Sequence, residues 1–197
     1  MSDYTWPGFP VTRFSLRIEP LTKSFASPYS NQMQTVDLMA ECWKVQMDMT
    51  QGTVLATGLA IEAFFDRLKG AANRCILWNL KLSLPQGTMR GTPTLNAAAA
   101  QLANTVSIGT TAGATVLAGD MLGIGGQLCR VMANATADGS GNLSVEIAPR
   151  LRVAMGSGTS VVWNAPTAPF LLASANPAVD WRPGLYIPPA VEWRESF

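Results

Sequence analysis

Between Ala103 and Arg152 the chain never runs more than a few residues without a turn. Short apolar runs at Val106–Ile108, Val116–Leu117, Met121–Ile124, Leu128–Val131 and Leu143–Ile147 alternate with Thr110–Gly113, Gly119–Asp120, Gly125–Gly126 and Asp138–Asn142. Strands this short, punctuated by Gly, Asp, Asn and Ser, predict a compact antiparallel barrel or sandwich. Only Asp120, Arg130, Asp138 and Glu146 are charged between Asn96 and Ala148. The stretch therefore reads as scaffold, with no cluster that carries chemistry.

The flanking segments follow the same period of two. Met1–Pro10 holds two prolines among aromatics and reads as an extended arm. Phe14, Leu16 and Ile18 alternate with Arg13, Ser15 and Arg17, which predicts a half-buried strand. Thr22–Gln32 is polar and reads as a long loop, and Met33–Met39 as a second strand. Trp43, Val45, Met47 and Met49 alternate with Lys44, Gln46 and Asp48 in a third.

Leu59, Ala60, Phe64, Phe65 and Leu68 then recur at helical spacing, opposite Glu62, Asp66, Arg67 and Lys69. This predicts one helix, about residues 57–69, capped by Gly70 and lying across the sheet. Arg74–Leu84 returns to strand alternation, with Trp78, Leu80, Leu82 and Leu84 on one face. Pro85–Thr94 is a linker, Asn96–Ala103 is an Ala-rich stretch suited to one helical turn, and Ala165–Pro169 is a return linker. The tail from Asp180 is aromatic, proline-rich and extended, with a final strand at Ala190–Trp193. The expected core comprises Phe14, Leu16, Trp43, Val45, Phe64, Leu68, Trp78 and Leu80.

The fold expected is mainly β. A split β-barrel or sandwich with one packed α-helix would take residues 1–90 and 166–197. An inserted small antiparallel β-barrel would take residues 91–165.

Charged residues make up 14% of the chain, against about 25% in ordinary globular proteins. Either the surface is polar but uncharged, or much of it is covered by another subunit. Interface cores are poor in charge and rich in aromatics and Met, and six Trp and nine Met fit that pattern. A net charge of +1 without a Lys/Arg run argues against nucleic-acid-specific binding. No apolar stretch approaches the roughly 18 residues that span a bilayer, so membrane insertion is not expected. The N-terminus lacks the charge and hydrophobicity of a signal peptide. Cys42, Cys75 and Cys129 are scattered within apolar runs and read as buried free thiols made in a reducing cytoplasm.

The chain contains no histidine, which removes His-dependent nucleophilic, general-base and metal sites. Asp37, Glu41, Asp48 and Asp120 are the candidates for a carboxylate pair. Asp37 and Asp48 fall on polar strand faces, and Asp120 follows Gly119 where a local side-chain-to-backbone bond is usual. Gly123-x-Gly125-Gly126 lacks the spacing of a nucleotide loop and reads as a hairpin turn. The run from Asp138 to Asn142 starts like a calcium loop, yet its twelfth position is Pro149 where a bidentate Glu is required. No catalytic, cofactor-binding or metal-ligating residue is assigned, no cofactor is expected, and the chain is not read as an enzyme.

Trp6, Phe9, Trp181, Tyr186 and Trp193 cluster towards the two ends. They could stack on sugars, pack on their own domain, or anchor arms on a neighbouring subunit, where Trp and Tyr are favoured. The interleaving with proline favours the interface.

Leu117-Ala-Gly-Asp120, Ile124-Gly-Gly-Gln-Leu-Cys-Arg-Val131, Ala137-Asp-Gly-Ser-Gly141 and Ile147-Ala-Pro-Arg-Leu-Arg152 together resemble tail-tip proteins of long-tailed bacteriophages. Trp43, Phe64-Phe-Asp-Arg-Leu-Lys-Gly70 and Pro85-Gln-Gly-Thr-Met-Arg-Gly-Thr-Pro93 extend the likeness over most of the chain. The motifs are turns and packing positions, and it is their order that carries the resemblance. It implies a distal tail protein. Such proteins form a hexameric ring between tail tube and tail-tip hub, from a split β-barrel with a helix and a second, projecting β domain. The implied partners are further copies of the chain, the tail-tube protein and the hub protein. The implied location is the virion tail tip, after assembly in the host cytoplasm. Two alternatives stand beside it: a carbohydrate-binding module contacting host glycans through Trp163 or Trp181, and a ring at the head-proximal end of the tail.

Overall fold

Period-two alternation dominates the folded chain as it does the sequence, which is 44% strand and 7% helical. The computed structural model describes residues 1–30, 32–174 and 177–197. The chain divides into two compact units. One comprises Met1–Arg17, Trp43–Leu84 and Asn164–Phe197, and the other Ile18–Cys42 and Pro85–Trp163.

The first unit is built on a six-stranded sheet. Its spatial order is Asp3–Thr5, Arg74–Trp78, Thr167–Leu172, Ala190–Glu195, Cys42–Met49 and Val11–Glu19. Asp3–Thr5 pairs in parallel with Arg74–Trp78. The last strand of the sequence lies inside the sheet, with Trp193 opposite Leu172 on one side and Val45 on the other. Trp43, Val45, Met47 and Met49 are buried, while Lys44, Gln46 and Asp48 between them are half-buried.

Two strands of this unit contribute less to the core than expected. Phe14 and Leu16 are only half-buried, because Val11–Glu19 is an edge strand covered on one side. Trp78 and Leu80 are also half-buried, because the strand ends at Trp78 and turns its other face inward. Cys75 sits opposite Phe170 and Leu77 opposite Ala168, and all four are buried. Alternation in that stretch allows two faces, and only the neighbouring strand chooses between them.

The helix runs from Leu55 to Leu68 and buries Gly58, Ile61, Phe64, Phe65 and Leu68. Leu59 and Ala60, expected inside, are exposed. Gly58 sets the buried face, since a Cβ there would lie 2.6 Å from the Trp181 ring. The left-handed turn at the C-terminal end begins at Lys69 (φ 49°), one residue before the expected Gly70.

The second unit holds another six-stranded sheet, ordered Val161–Val162, Met121–Ile124, Gln127–Val131, Asn142–Ala148, Thr105–Gly109 and Thr94–Leu95. Its two edges meet. Thr94 bridges Ser160, the Leu95 amide donates to the Thr159 carbonyl at 2.9 Å, and the Val161 amide to the Pro93 carbonyl at 2.9 Å. The result is a nearly closed, barrel-like sheet. Leu95, Val106, Ile108, Leu122, Ile124, Cys129, Leu143, Val145 and Ile147 fill its core. The Met121–Ile124 and Gln127–Val131 strands join through Gly125 and Gly126 at φ 54° and 87°. Both central residues of such a two-residue turn need positive φ, which glycine adopts without steric cost.

Two further expectations fail here. Asn96–Ala103 forms no helical turn. The amides of Ala99 and Leu102 donate to the carbonyls of Met155 and Leu151, and a tight turn closed by the Ala103 amide on the Ala100 carbonyl, with Leu102 at φ 65°, stands where the helical turn is expected. Thr22–Gln32 is not a plain loop: Thr22–Ala26 pairs antiparallel with Met33–Asp37. Its alternation is masked because no side chain of the pair faces a core.

Candidate interaction surface

The carboxylates singled out from the sequence are occupied with structure. Asp120 is fully buried and accepts backbone N–H bonds from Gln86 (2.7 Å), Gly87 (3.1 Å) and Leu117 (2.9 Å). The bond to Leu117 is the local one expected. The other two fasten Gln86 and Gly87 to the barrel-like sheet, and no sequence signal pointed to them. Asp138 accepts from Ser140 and Asn142. The Asn142 side chain, its backbone amide and smaller backbone contributions hold Asp138 below the ordinary carboxylate range. Asp37 accepts the Met39 amide at 2.9 Å and lies 3.4 Å from Arg150. Asp48 is half-buried on its strand, opposite Ala190. Among the described residues, no cluster of three or more His, Cys, Asp or Glu is arranged to hold a metal. The three cysteines are free and buried, and burial pushes the Cys75 thiol up to about 12.

The terminal aromatics do not form free arms. Trp6 (3% exposed), Tyr186 (4%) and Trp193 (1%) are buried within their own unit, which corrects their assignment to an interface. Trp6 packs edge-on against Phe9, Phe64 and Trp193, with ring centroids 5.5, 5.5 and 6.3 Å away. Such aromatic pairs add roughly 0.5–1.5 kcal/mol each beyond their buried area. Phe9 is half-buried in the same cluster. Trp181 remains 42% exposed, but its indole N–H donates to Glu62 Oε1 at 2.7 Å. Trp163 lies under the Arg90 guanidinium at 5.0 Å and donates its Nε1–H to the Gly91 carbonyl at 2.8 Å.

Exposed apolar surface gathers elsewhere, on the hairpin Thr22–Ala26/Met33–Asp37. Directly opposed residues share a face in an antiparallel pair. The register sets Lys23 against Val36 and Phe25 against Gln34, and the Leu38 amide donates to the Leu21 carbonyl at 2.9 Å. Leu21, Phe25, Val36 and Leu38 therefore line one face, each between 40% and 58% exposed. The other face carries Thr22, Ser24, Thr35 and Asp37, with Ala26 and the exposed Met33 at its turn end and the Ser24 and Thr35 hydroxyls 3.3 Å apart. Arg150 meets Asp37 on this polar face, and an Arg152 Nη2–H donates to the Glu41 carbonyl at 3.4 Å just beyond the hairpin. An isolated two-stranded hairpin is marginal in water, and an apolar face left open on one marks a contact surface. Every described residue from Pro20 to Ala40 is exposed. The signal was present as Leu21-x-Lys23-x-Phe25 and Gln34-x-Val36-x-Leu38, two short alternations diluted by polar neighbours.

The first unit has an exposed apolar strip of its own. Leu55 and Leu59, four residues apart on the helix, and Val54 before it are all at least half exposed.

No protein-family model matches the chain, and no curated protein matches it in sequence.

Proposed function

We propose that this chain is a structural, ring-forming subunit of the tail tip of a long-tailed bacteriophage, a distal tail protein joining the tail tube to the hub. The exposed apolar face of the hairpin Thr22–Ala26/Met33–Asp37 carries the reading. Four large apolar side chains on one face, on an element without a core of its own, call for a covering surface. The order of motifs from Leu117 to Arg152 supplies the family, and the low charge content agrees with subunits that spend their surface on one another. In this reading the first unit's sheet and helix form the split barrel of the ring body, and the Thr94–Val162 sheet is the inserted small barrel. Contacts in a ring are heterologous and close by rotation, so the hairpin of one copy meets a different surface of the next. The partners are further copies of the chain, the tube protein and the hub. The location is the virion tail tip. The protein has no enzymatic role.

Native mass of the purified chain at micromolar concentration, with negative-stain images of the same sample, tests this. A closed ring of about six copies is expected. Phe25→Ser combined with Val36→Ser should yield monomers that keep the wild-type far-ultraviolet circular dichroism spectrum, with a melting temperature that no longer rises with protein concentration. A wild-type protein that stays monomeric even with tube and hub proteins present would sink the proposal.

A further inference from the structure

The exposed apolar face of the hairpin Thr22–Ala26/Met33–Asp37 is laid out in three rows. Leu21 and Leu38 form the row at its base, Lys23 and Val36 the middle row, and Phe25 and Gln34 the row nearest the turn. Alternate residues of a strand follow at about 6.6 Å, or about 3.3 Å per residue. The helix Leu55–Leu68 carries an exposed strip of nearly the same spacing. Leu55, Leu59 and Ala63 are all exposed and recur at every fourth position, which is about 6 Å along a helix axis. Rows of a helix strip can therefore settle on rows of a hairpin face. Leu59 falls on the middle row, with Leu55 and Ala63 on the rows to either side. With Leu55 over Leu21 and Leu38, the small side chain of Ala63 leaves room for the Phe25 ring.

Charge favours the same match. Lys23 is the one charged residue in the three rows. On the helix, Glu62 and Asp66 continue the line of Leu55, each within about 20° of it around the axis, while Arg67 lies about 120° away and off the strip. The Trp181 indole N–H donates to Glu62 Oε1 at 2.7 Å and holds that carboxylate in place. Glu62 stands about 4.5 Å further along the axis than Leu59, which brings it within reach of a lysine on the middle row.

We propose that the helix strip Leu55–Asp66 of one copy covers the hairpin face of the next. This inference rests on the ring reading for the presence of a second copy, and adds which surface the hairpin meets. Each copy carries one strip and one face, so the contact is heterologous and repeats from copy to copy.

Val36→Cys and Leu59→Cys, each in otherwise unaltered full-length protein, would be mixed, assembled and treated with a short bismaleimide. Both positions are exposed. A covalent dimer is expected from the mixture, but from neither variant alone nor from wild-type protein, whose three cysteines are buried. Lys23→Glu, which sets an acid against Glu62 and Asp66, should raise at least tenfold the concentration at which half the protein is assembled. A ring that forms yet gives no covalent dimer from the mixture, or that ignores Lys23→Glu, would overturn this contact and leave the ring standing. Wild-type protein that stays monomeric even with tube and hub proteins present would overturn both.

Discussion

Two hairpins in the same unit have opposite fates. Met121–Ile124 and Gln127–Val131 are buried at every position except Arg130. Thr22–Ala26 and Met33–Asp37 are exposed at every position. Both satisfy their backbone by the same antiparallel ladder, so the hydrogen bonds that shape a hairpin do not decide what it contributes. The first hairpin stabilises the fold by area removed from water. The second leaves that area to another surface. The free-energy difference is large, because a fully buried aliphatic side chain is worth about 1.5–3 kcal/mol over an exposed one.

Mutation can sharpen this contrast. Leu122→Ala should cost about 3 kcal/mol in denaturant unfolding, while Phe25→Ala should move the unfolding free energy by less than about 0.5 kcal/mol. Equal losses would mean that the exposed hairpin is packed after all. Next in size is Asp120→Ala, which strips three backbone donors of their acceptor. A loss of about 2–3 kcal/mol is expected, with faster amide exchange at Gln86 and Gly87. Gly126→Ala should follow at about 1 kcal/mol, read as a lowered melting temperature. Its φ of 87° suits glycine, and a Cβ would meet nothing within 4 Å, so the cost is conformational alone.

The smallest effect concerns pH. Asp138 titrates below the ordinary range when folded, so its contribution is present above the unfolded value near about 3.9 and is lost as pH falls through the folded value. Asn142→Ala removes the principal cause and should raise the Asp138 titration seen by NMR. An unmoved titration would separate the turn from the Asn142 side chain.

The contrast also explains what was legible. The buried hairpin could be read residue by residue, because Gly125-Gly126 marks its turn and both strands are apolar. The strand from Trp43 to Met49 and the helix were equally plain, since each repeats its period over many residues. The exposed hairpin is only half legible: Met33–Met39 reads as a strand, while Thr22–Gln32 reads as loop. Without a buried face its alternation is short and mixed with serine and threonine. The inward faces of Arg74–Trp78 and of the helix are not legible for another reason. Period alone fixes spacing, and Phe170, Ala168 and Trp181, nearly a hundred or more residues away, decide which side turns inward.

In the first unit the Ala165 amide donates to the Ser83 carbonyl at 2.7 Å, and Thr167 sits opposite Trp78 shortly beyond. The chain therefore leaves this sheet and, some eighty residues later, re-enters it at the same doorstep. To the first unit's sheet that stretch is a single loop, closed by one backbone hydrogen bond at its base. The unit it helps to build also draws on Ile18–Cys42, so its surface is written in two separate stretches of the gene that must change together where Asp37 meets Arg150.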